Sequence, residues 1–380
     1  MAPALMSTLA AGLIGAFCWR TWWSIGFAFA VPILAGVQSR RAWAATVTGA
    51  YFAAASWPLV RAYAAFAATS TVSGAFAWIF AAVLLALPLT AAWTQNRTAA
   101  AWRIPVALAA GVLPPLGLIG WASPLASAGV LFPGTAWLGL AAAIIAPGFV
   151  LLGRPRVWFA IAASCALCHC FSKPAAPPAS WASVQTRLAP GRRFAGTNEL
   201  IASEAVQQIV SESRASVTVL PETVISRWTV ATEAFWEPTL EKLRRQQRLA
   251  VIGAGLAIPD TPAYENAALV IGDGKPKAFF QRIPVPVGMW RPFGDGPSVP
   301  LRLRRPGTID IADQRVAFLI CYEQLLVLPV LLSAIDRPTL IVGMANQYWV
   351  RETTIPAAQR ASLMAWSKLF ALPLLIAENK

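Results

Sequence analysis

Two regimes of apolar patterning divide the chain. Up to about residue 171, long apolar runs follow one another at 4–18, 22–38, 44–66, 73–93, 105–122, 134–152 and 157–171. A helix that crosses a bilayer needs about 20 mostly apolar residues. The pattern therefore predicts an N-terminal multi-span α-helical membrane domain over 1–171, with about seven helices, of which the first two are short. Residues 172–183 carry Pro174, Pro177 and Pro178 and read as a stiff, extended linker. From 184 to 380 the pattern changes to alternating short strands and amphipathic helices. Helices are predicted at 199–214, 233–248, 323–335 and 357–370, the first from Leu200, Ile201, Ala205, Ile209 and Val210 at helical spacing. Strands are predicted at Val217–Leu220, Ala250–Gly255, Asn266–Ile271, Ala278–Val285, Arg315–Ile320, Thr339–Val342 and Pro373–Ala377, with a hairpin turn at Gly272-Asp273-Gly274. That alternation is an α/β layer pattern, long enough for one sizeable core.

Charge sharpens the division. No Asp or Glu precedes Glu199, so the net charge of +14 belongs almost wholly to the first half. Basic charge can signal nucleic acid, but here the bases stand singly or in pairs between apolar runs, as membrane topology requires. Direct nucleic-acid binding is not expected. Arg40 and Arg41, Arg97 and Arg103, and Arg154 and Arg156 mark alternate loops, whereas 67–72 and 123–133 are uncharged. The basic loops face the cytoplasm by the positive-inside rule, which puts everything after residue 171 on the outer side. Arg20 departs from the pattern, and Arg61 is read as snorkelling from the end of the third span. Few ionisable groups occur within the spans, which disfavours a transporter. The last span ends in Cys165-Ala166-Leu167-Cys168-His169-Cys170, a literal C-x-x-C-H. Without a segment to supply a pocket or second axial ligand, these are read as small residues at a helix end, and neither cofactor nor metal is expected.

Three stretches carry candidate chemistry. Val219-Leu220-Pro221-Glu222 delivers a carboxylate at a strand end, and Phe318-Leu319-Ile320-Cys321-Tyr322-Glu323 delivers a thiol with an acid two residues later. Between them lies Arg282-Ile283-Pro284-Val285-Pro286-Val287-Gly288. Reactive groups commonly sit at the carboxyl ends of strands in α/β folds. A thiol nucleophile needs a base. With the only His at the membrane boundary, Glu222 is the candidate base for Cys321, and Glu323 the candidate that orients other groups.

In this order the stretches resemble the nitrilase (carbon–nitrogen hydrolase) superfamily, and the whole layout resembles its membrane branch, the apolipoprotein N-acyltransferases. Leu220-Pro221-Glu222-Thr223 is similar to the Glu motif, Val285-Pro286-Val287-Gly288 to V-P-F-G, Cys321-Tyr322-Glu323 to C-Y-E, and Asn346 with Trp349 to N-x-x-W. Gly129–Thr135 and Val285–Pro292 also resemble a family of plasmid conjugal-transfer membrane proteins. The resemblance implies an αββα sandwich and a Glu–Lys–Cys triad working through a thioester. It implies a bacterial inner-membrane location with the C-terminal domain in the periplasm. The implied partners are the bilayer, a phospholipid or lipoprotein acyl donor or acceptor, and the conjugation machinery. Tyr322, Asn346, Trp349 and Arg282 are the implied oxyanion or pocket candidates.

The chain departs from that pattern at Gln281, where the family has its lysine, and at Met289, where the acyltransferase has an acid. Lys277 is on the same strand face, but four residues of strand span about 13 Å. The family's C-terminal membrane helix is expected to be missing after Lys380. Two readings follow: an amide or acyl-transfer enzyme using Cys321 and Glu222, and a catalytically weakened accessory that keeps the scaffold. Apolipoprotein N-acyltransferase activity itself is the further alternative.

Overall fold

A computed structural model describes all residues except 68, 174, 189–196 and 295, and the side chains of 197–199. Ala68 of the uncharged loop 67–72 and Pro174 of the expected linker therefore lie outside the described residues. The chain forms two compact units, one of Met1–Ala175, Leu325–Leu328 and Glu352–Leu372, the other of Ala176–Gln324, Pro329–Arg351 and Pro373–Lys380.

The first unit contains α1 (Ala2–Phe17), α2 (Ala30–Gly36), α3 (Arg41–Ser56), α4 (Leu59–Ala67), α5 (Thr71–Ala92), α6 (Arg97–Ala110), α7 (Ala128–Leu131), α8 (Ala136–Leu151) and α9 (Pro155–Phe171). Only α5 meets the length and hydropathy of a membrane span among the described residues; α1, α8 and α9 are apolar but shorter. At ~1.5 Å per residue α5 is about 33 Å long, matching the hydrocarbon thickness.

Three expected spans differ most from the structure. The run 22–38 forms a 3-10 segment over Ser24–Phe29 and the short α2. The run 44–66 breaks at Trp57-Pro58, because proline lacks an amide proton and clashes with the preceding turn. The run 105–122 is displaced: α6 starts at Arg97, where Asn96 Oδ1 accepts from Ala99 N at 3.1 Å, and stops at Ala110 before Pro114-Pro115. Arg103 thus lies within α6 and not in a loop. Hydropathy windows register neither caps nor proline pairs, so they misplace both ends. Tight helix packing is visible where Gly148 of α8 meets α6: a Cβ there would lie 2.2 Å from the Ala101 carbonyl oxygen. Outside these contacts the unit is strongly apolar on its surface. Phe76, Phe80, Leu138, Phe159 and Phe171 are exposed, and α9 buries none of its residues.

The second unit contains β1 (Trp181–Ser183), β2 (Gln185–Thr186), α10 (Thr197–Glu212), β3 (Val217–Val219), β4 (Ile225–Trp228), α11 (Val230–Arg245), β5 (Leu249–Ala257), β6 (Tyr264–Ile271), β7 (Lys277–Phe280), β8 (Ile309–Ile311), β9 (Gln314–Ile320), α12 (Val327–Ile335), β10 (Leu340–Asn346) and β11 (Leu374–Asn379). One sheet runs β1-β3-β5-β6-β7, with β4 also pairing β5; the other runs β2-β11-β10-β9-β8. The central pairs β3/β5, β9/β10 and β10/β11 are parallel, as are the edge pairs β1/β3 and β2/β11, and antiparallel strands close the other edge of each sheet.

Alternate residues build the core, as the two-residue period of a strand requires. Val217 and Val219, Val316, Phe318 and Ile320, and Leu340, Val342 and Met344 form one cluster between the sheets. The opposite face of the first sheet, through Ala250, Ile252 and Ala254, packs on Val206 and Val210 of α10 and on Trp236, Leu240 and Leu243 of α11. β1 occupies part of the segment expected to be linker. The strand expected over Ala278–Val285 ends at Phe280; Gln281 N still donates to Asn266 O of β6 at 2.8 Å, and Arg282 N leaves the ladder for Glu323 Oε1.

Candidate active site

The parallel strands deliver their carboxyl ends to one place. β3 ends just before Glu222, β9 just before Cys321, β7 just before Gln281, and β10 on Asn346. Both turns that present the candidate acid and thiol carry non-glycine residues in the left-handed region, Thr223 at φ 50° and Cys321 at φ 54°. Such backbone costs of order 1–3 kcal/mol per residue and persists where the surroundings hold it. At Cys321 it turns the chain sharply from strand to a short helical segment over Cys321–Leu325, so that the side chain leaves the sheet edge.

The Glu222 carboxylate is hydrogen-bonded to the Cys321 thiol. Its other partners position it. Oε1 accepts from Asn266 Nδ2 at 2.7 Å, and Oε2 accepts from the Asn346 backbone N–H at 2.9 Å. Burial raises the Glu222 carboxyl, with the Asn346 amide, the Cys321 thiol and Asn266 pulling it back. Burial, and then the charge of Glu222, push the Cys321 thiol well up. The proton therefore rests on sulfur, and a base of raised affinity stands beside it, the ordering that proton transfer in a reaction needs.

Gln281 is wholly buried. Its Oε1 accepts from Asn266 Nδ2 at 3.0 Å, and its Nε2 donates to the Ile320 carbonyl at 3.1 Å. The residue aligned with the family's lysine thus lies beside the thiol loop, but its amide is spent on protein partners. Asn266 bridges it to Glu222. Lys277 opens β7 and is exposed. Met289 is buried and supplies no charge.

One candidate has a placement different from that expected, and its partner Glu323 has the orienting one. Arg282, a proposed oxyanion or pocket group, is wholly buried. Its Nη2 donates to Pro329 O at 3.0 Å and Ser333 Oγ at 2.9 Å, and its Nε lies 3.6 Å from Glu323 Oε1. The strand ends before it, so it turns inward and forms an ion pair there. Glu323 is committed to the backbone: Oε1 accepts from the N–H groups of Arg282 and Ile283 at 3.0 and 3.2 Å, and Oε2 from Ile320 N at 3.1 Å. It ties the Gln281 segment to the Cys321 turn and is a positioning residue. Asn346 acts on Glu222 through its backbone, while its Oδ1 accepts from Asn379 Nδ2 at 3.1 Å. Tyr322 and Trp349 are partly exposed beside the turn regions that bear them.

Asn266 and Tyr264 were not legible as site residues. Both lie on β6, where the buried polar pair Glu265 and Asn266 directly precedes the apolar run Ala267–Ile271, and that pair was the available signal. Burial raises the Tyr264 hydroxyl, followed by the nearby charge of Glu222.

Gly253 of β5 makes room for the acid. A Cβ at this position would lie 2.3 Å from Pro221 O, 2.4 Å from Thr223 N and 2.5 Å from Glu222 Cα, all backbone or Cα atoms that cannot rotate away. Gly253→Ala is expected to shift the Glu222 turn and slow alkylation of Cys321 by about 100-fold, the scale of a misplacement of about 1 Å. Peptide-resolved mass spectrometry of alkylation rates measures this; an unchanged rate in a folded variant contradicts the role of the close approach.

No family model matches the chain. It is 33% identical over 392 residues to the probable conjugal transfer protein TraB of Sinorhizobium fredii, covering 99% of this chain and 98% of that protein. It is 36% identical over 168 residues to the conjugal transfer protein TraB of Agrobacterium fabrum, covering 43% of this chain and 39% of that protein. Similar solved structures include a mutant amidase from Nesterenkonia sp. with acetamide added covalently at its active-site cysteine, at 14% identity and TM-score 0.37 over 55% of this chain and 79% of that one. A carbon–nitrogen hydrolase from Helicobacter pylori is similar at 14% identity and TM-score 0.38, over 51% of this chain and 72% of that one. On the near-complete match to the Sinorhizobium protein, this chain belongs to the TraB family of conjugal transfer proteins.

Proposed function

We propose that this protein is a multi-pass inner-membrane component of plasmid conjugation whose periplasmic C-terminal domain performs amide or acyl-transfer chemistry through Cys321. The observation that carries the reading is the buried Glu222–Cys321 hydrogen bond at two converging strand ends. In the first step Glu222 takes the thiol proton as sulfur attacks the substrate carbonyl carbon. The carbon–nitrogen bond, or carbon–oxygen bond of an ester, then breaks, and the leaving group takes the proton from Glu222. A thioester on Cys321 remains. An amine or water attacks it, gives its proton to Glu222, and the thiol is restored. The membrane reading is supported by the many large apolar side chains exposed on the first unit, by α5, and by the loop charges.

A second reading, a catalytically weakened accessory, has its own observation in Gln281. No lysine stands at that position, and the amide present bonds to Ile320 O and Asn266. Loss of one oxyanion donor costs about 100- to 1000-fold in typical enzymes.

The pH profile of Cys321 alkylation tests the enzyme reading. The raised Glu222 carboxyl must lose its proton before it can accept that of the thiol. The rate is expected to rise with pH through a carboxyl ionisation above the ordinary carboxylate range and then level. Glu222→Gln is expected to abolish that step and leave only a climb into the thiol range. Identical profiles for the two proteins favour the accessory.

A further inference from the structure

The hairpin of α8 and α9 holds a feature that the thiol chemistry does not use. The two helices present facing stripes at three- and four-residue spacing, Ala142, Ile145 and Phe149 on one and Val157, Ile161 and Ser164 on the other, with Ala160 beside Ile161. The stripes stand apart and enclose a groove of about 720 Å³. That volume falls within the range of small-molecule sites, about 300–1,000 Å³. Its walls are apolar apart from Ser164, except at the closed end of the hairpin, where Arg154 and Arg156 line it.

A third guanidinium is close by. Arg97 Nη1 lies 3.1 Å from where a Cβ on Gly153 would stand, one residue before Arg154. Arg97, Arg154 and Arg156 are all exposed near this turn, and such a set of guanidinium groups offers charge-assisted hydrogen bonds to an anion. Residues 1–198 contain no carboxylate side chain to serve as one. The N-terminus of α9 adds to the positive field, with Arg154 as its N-cap and no side chain capping it.

We infer that this groove is a binding site for one anionic phospholipid, with an acyl chain along the Ile145, Phe149, Ala160 and Ile161 walls and its phosphate held by Arg154 and Arg156. Guanidinium pairs suit phosphate because their N–H groups form charge-assisted, bidentate hydrogen bonds. A zwitterionic lipid offers the same chain but cancels the phosphate charge with its own cation. A purely annular lipid needs no groove, and a protein segment would leave the three guanidinium groups without a counter-ion unless it were acidic. By the loop-charge rule the site faces the cytoplasm. It rests on the membrane reading but not on Cys321.

The test uses the full chain, purified in detergent and depleted of lipid. Dioleoyl phosphatidylglycerol and dioleoyl phosphatidylcholine are titrated separately, and saturable binding is read by native mass spectrometry and by thermal shift. The wild type is expected to prefer phosphatidylglycerol by about 10-fold or more, as loss of a charge-assisted pair implies. Arg154→Gln with Arg156→Gln is expected to abolish the preference while leaving the lipid-free melting temperature unchanged, since both side chains are exposed. Ala160→Trp, which fills the groove, is expected to abolish saturable binding of both lipids. Equal binding of the two lipids by the wild type, or a preference that survives the double substitution, overturns the inference. So does a concentration-dependent dimer that Ala160→Trp disrupts in place of lipid binding. Alkaline carbonate extraction of cell membranes separates the two levels. Release of the protein overturns the membrane reading itself, whereas retention without a lipid preference overturns this site alone.

Discussion

Cys321→Ala is expected to eliminate every covalent acyl adduct of the protein, and Glu222→Gln to slow adduct formation by about 10²- to 10⁴-fold. The second figure is the contribution of a positioned general base. The substitutions act differently because they remove different atoms. Alanine takes away the bond-forming sulfur, whereas the glutamine amide keeps the shape and polar reach of Glu222 but cannot accept a proton. Glutamine also retains a carbonyl oxygen for Asn266 Nδ2 or the Asn346 amide, so the turn remains supported. Para-nitrophenyl acetate serves as a general acyl donor, with intact mass of the trapped protein and nitrophenolate release as readouts. Turnover in Cys321→Ala equal to wild type, or a Glu222→Gln rate within about threefold of wild type, refutes the nucleophile–base assignment. Mating frequency of a plasmid carrying Cys321→Ala then reports whether conjugation needs the thiol.

Glu323→Ala is expected to be the most destabilising single change in the second unit, by about 3–5 kcal/mol. That is the usual cost of removing one partner of a buried ion pair. The carboxylate is wholly buried and bonds three backbone N–H groups from two segments. Without it, the equally buried Arg282 guanidinium loses its counter-charge, and Nη2 keeps only Pro329 O and Ser333 Oγ. Burial already pulls the Arg282 guanidinium down and pushes the Glu323 carboxyl up, with each opposing the other's shift. The pair is therefore costly to bury and costlier to break. Replacing both residues with apolar ones, Arg282→Met with Glu323→Leu, is expected to recover a large part of the loss, because no isolated charge remains. Urea unfolding followed by tryptophan fluorescence measures the series. A Glu323→Ala loss below about 1 kcal/mol is the scale of a surface pair and contradicts the role given to it.

Local patterning already marked much of the second unit. Continuous short apolar runs along Val316–Ile320 and Leu340–Met344 specified buried strands, and the apolar runs leading to Glu222 and Cys321 specified where the candidate groups emerge. Those features depend on near neighbours in the chain, so a one-dimensional reading reaches them. The short strands β1, β2, β4 and β8 did not register. Two to four residues carry too little periodicity, and it is pairing with distant strands that makes them strands. The same limit applies to Asn266. Its meaning comes from two partners, 44 positions before it and 15 after it.

The sequence by itself determined the division into an acid-free apolar half and an α/β half, the order of Glu222, Gln281 and Cys321, and the glutamine where the nitrilase resemblance leads one to expect a lysine. Each is a matter of composition, local period or residue identity. Only the tertiary structure decided what those residues touch. It brought Glu222 onto the Cys321 thiol, turned Gln281 onto Ile320 and Asn266, and withdrew Arg282 into a buried pair with Glu323. It also broke one expected membrane run at Pro58 and moved another to begin at Asn96. The physical reason is common to these cases. Desolvation and hydrogen bonding depend on which distant segments close over a group, and a linear pattern carries no record of that closure.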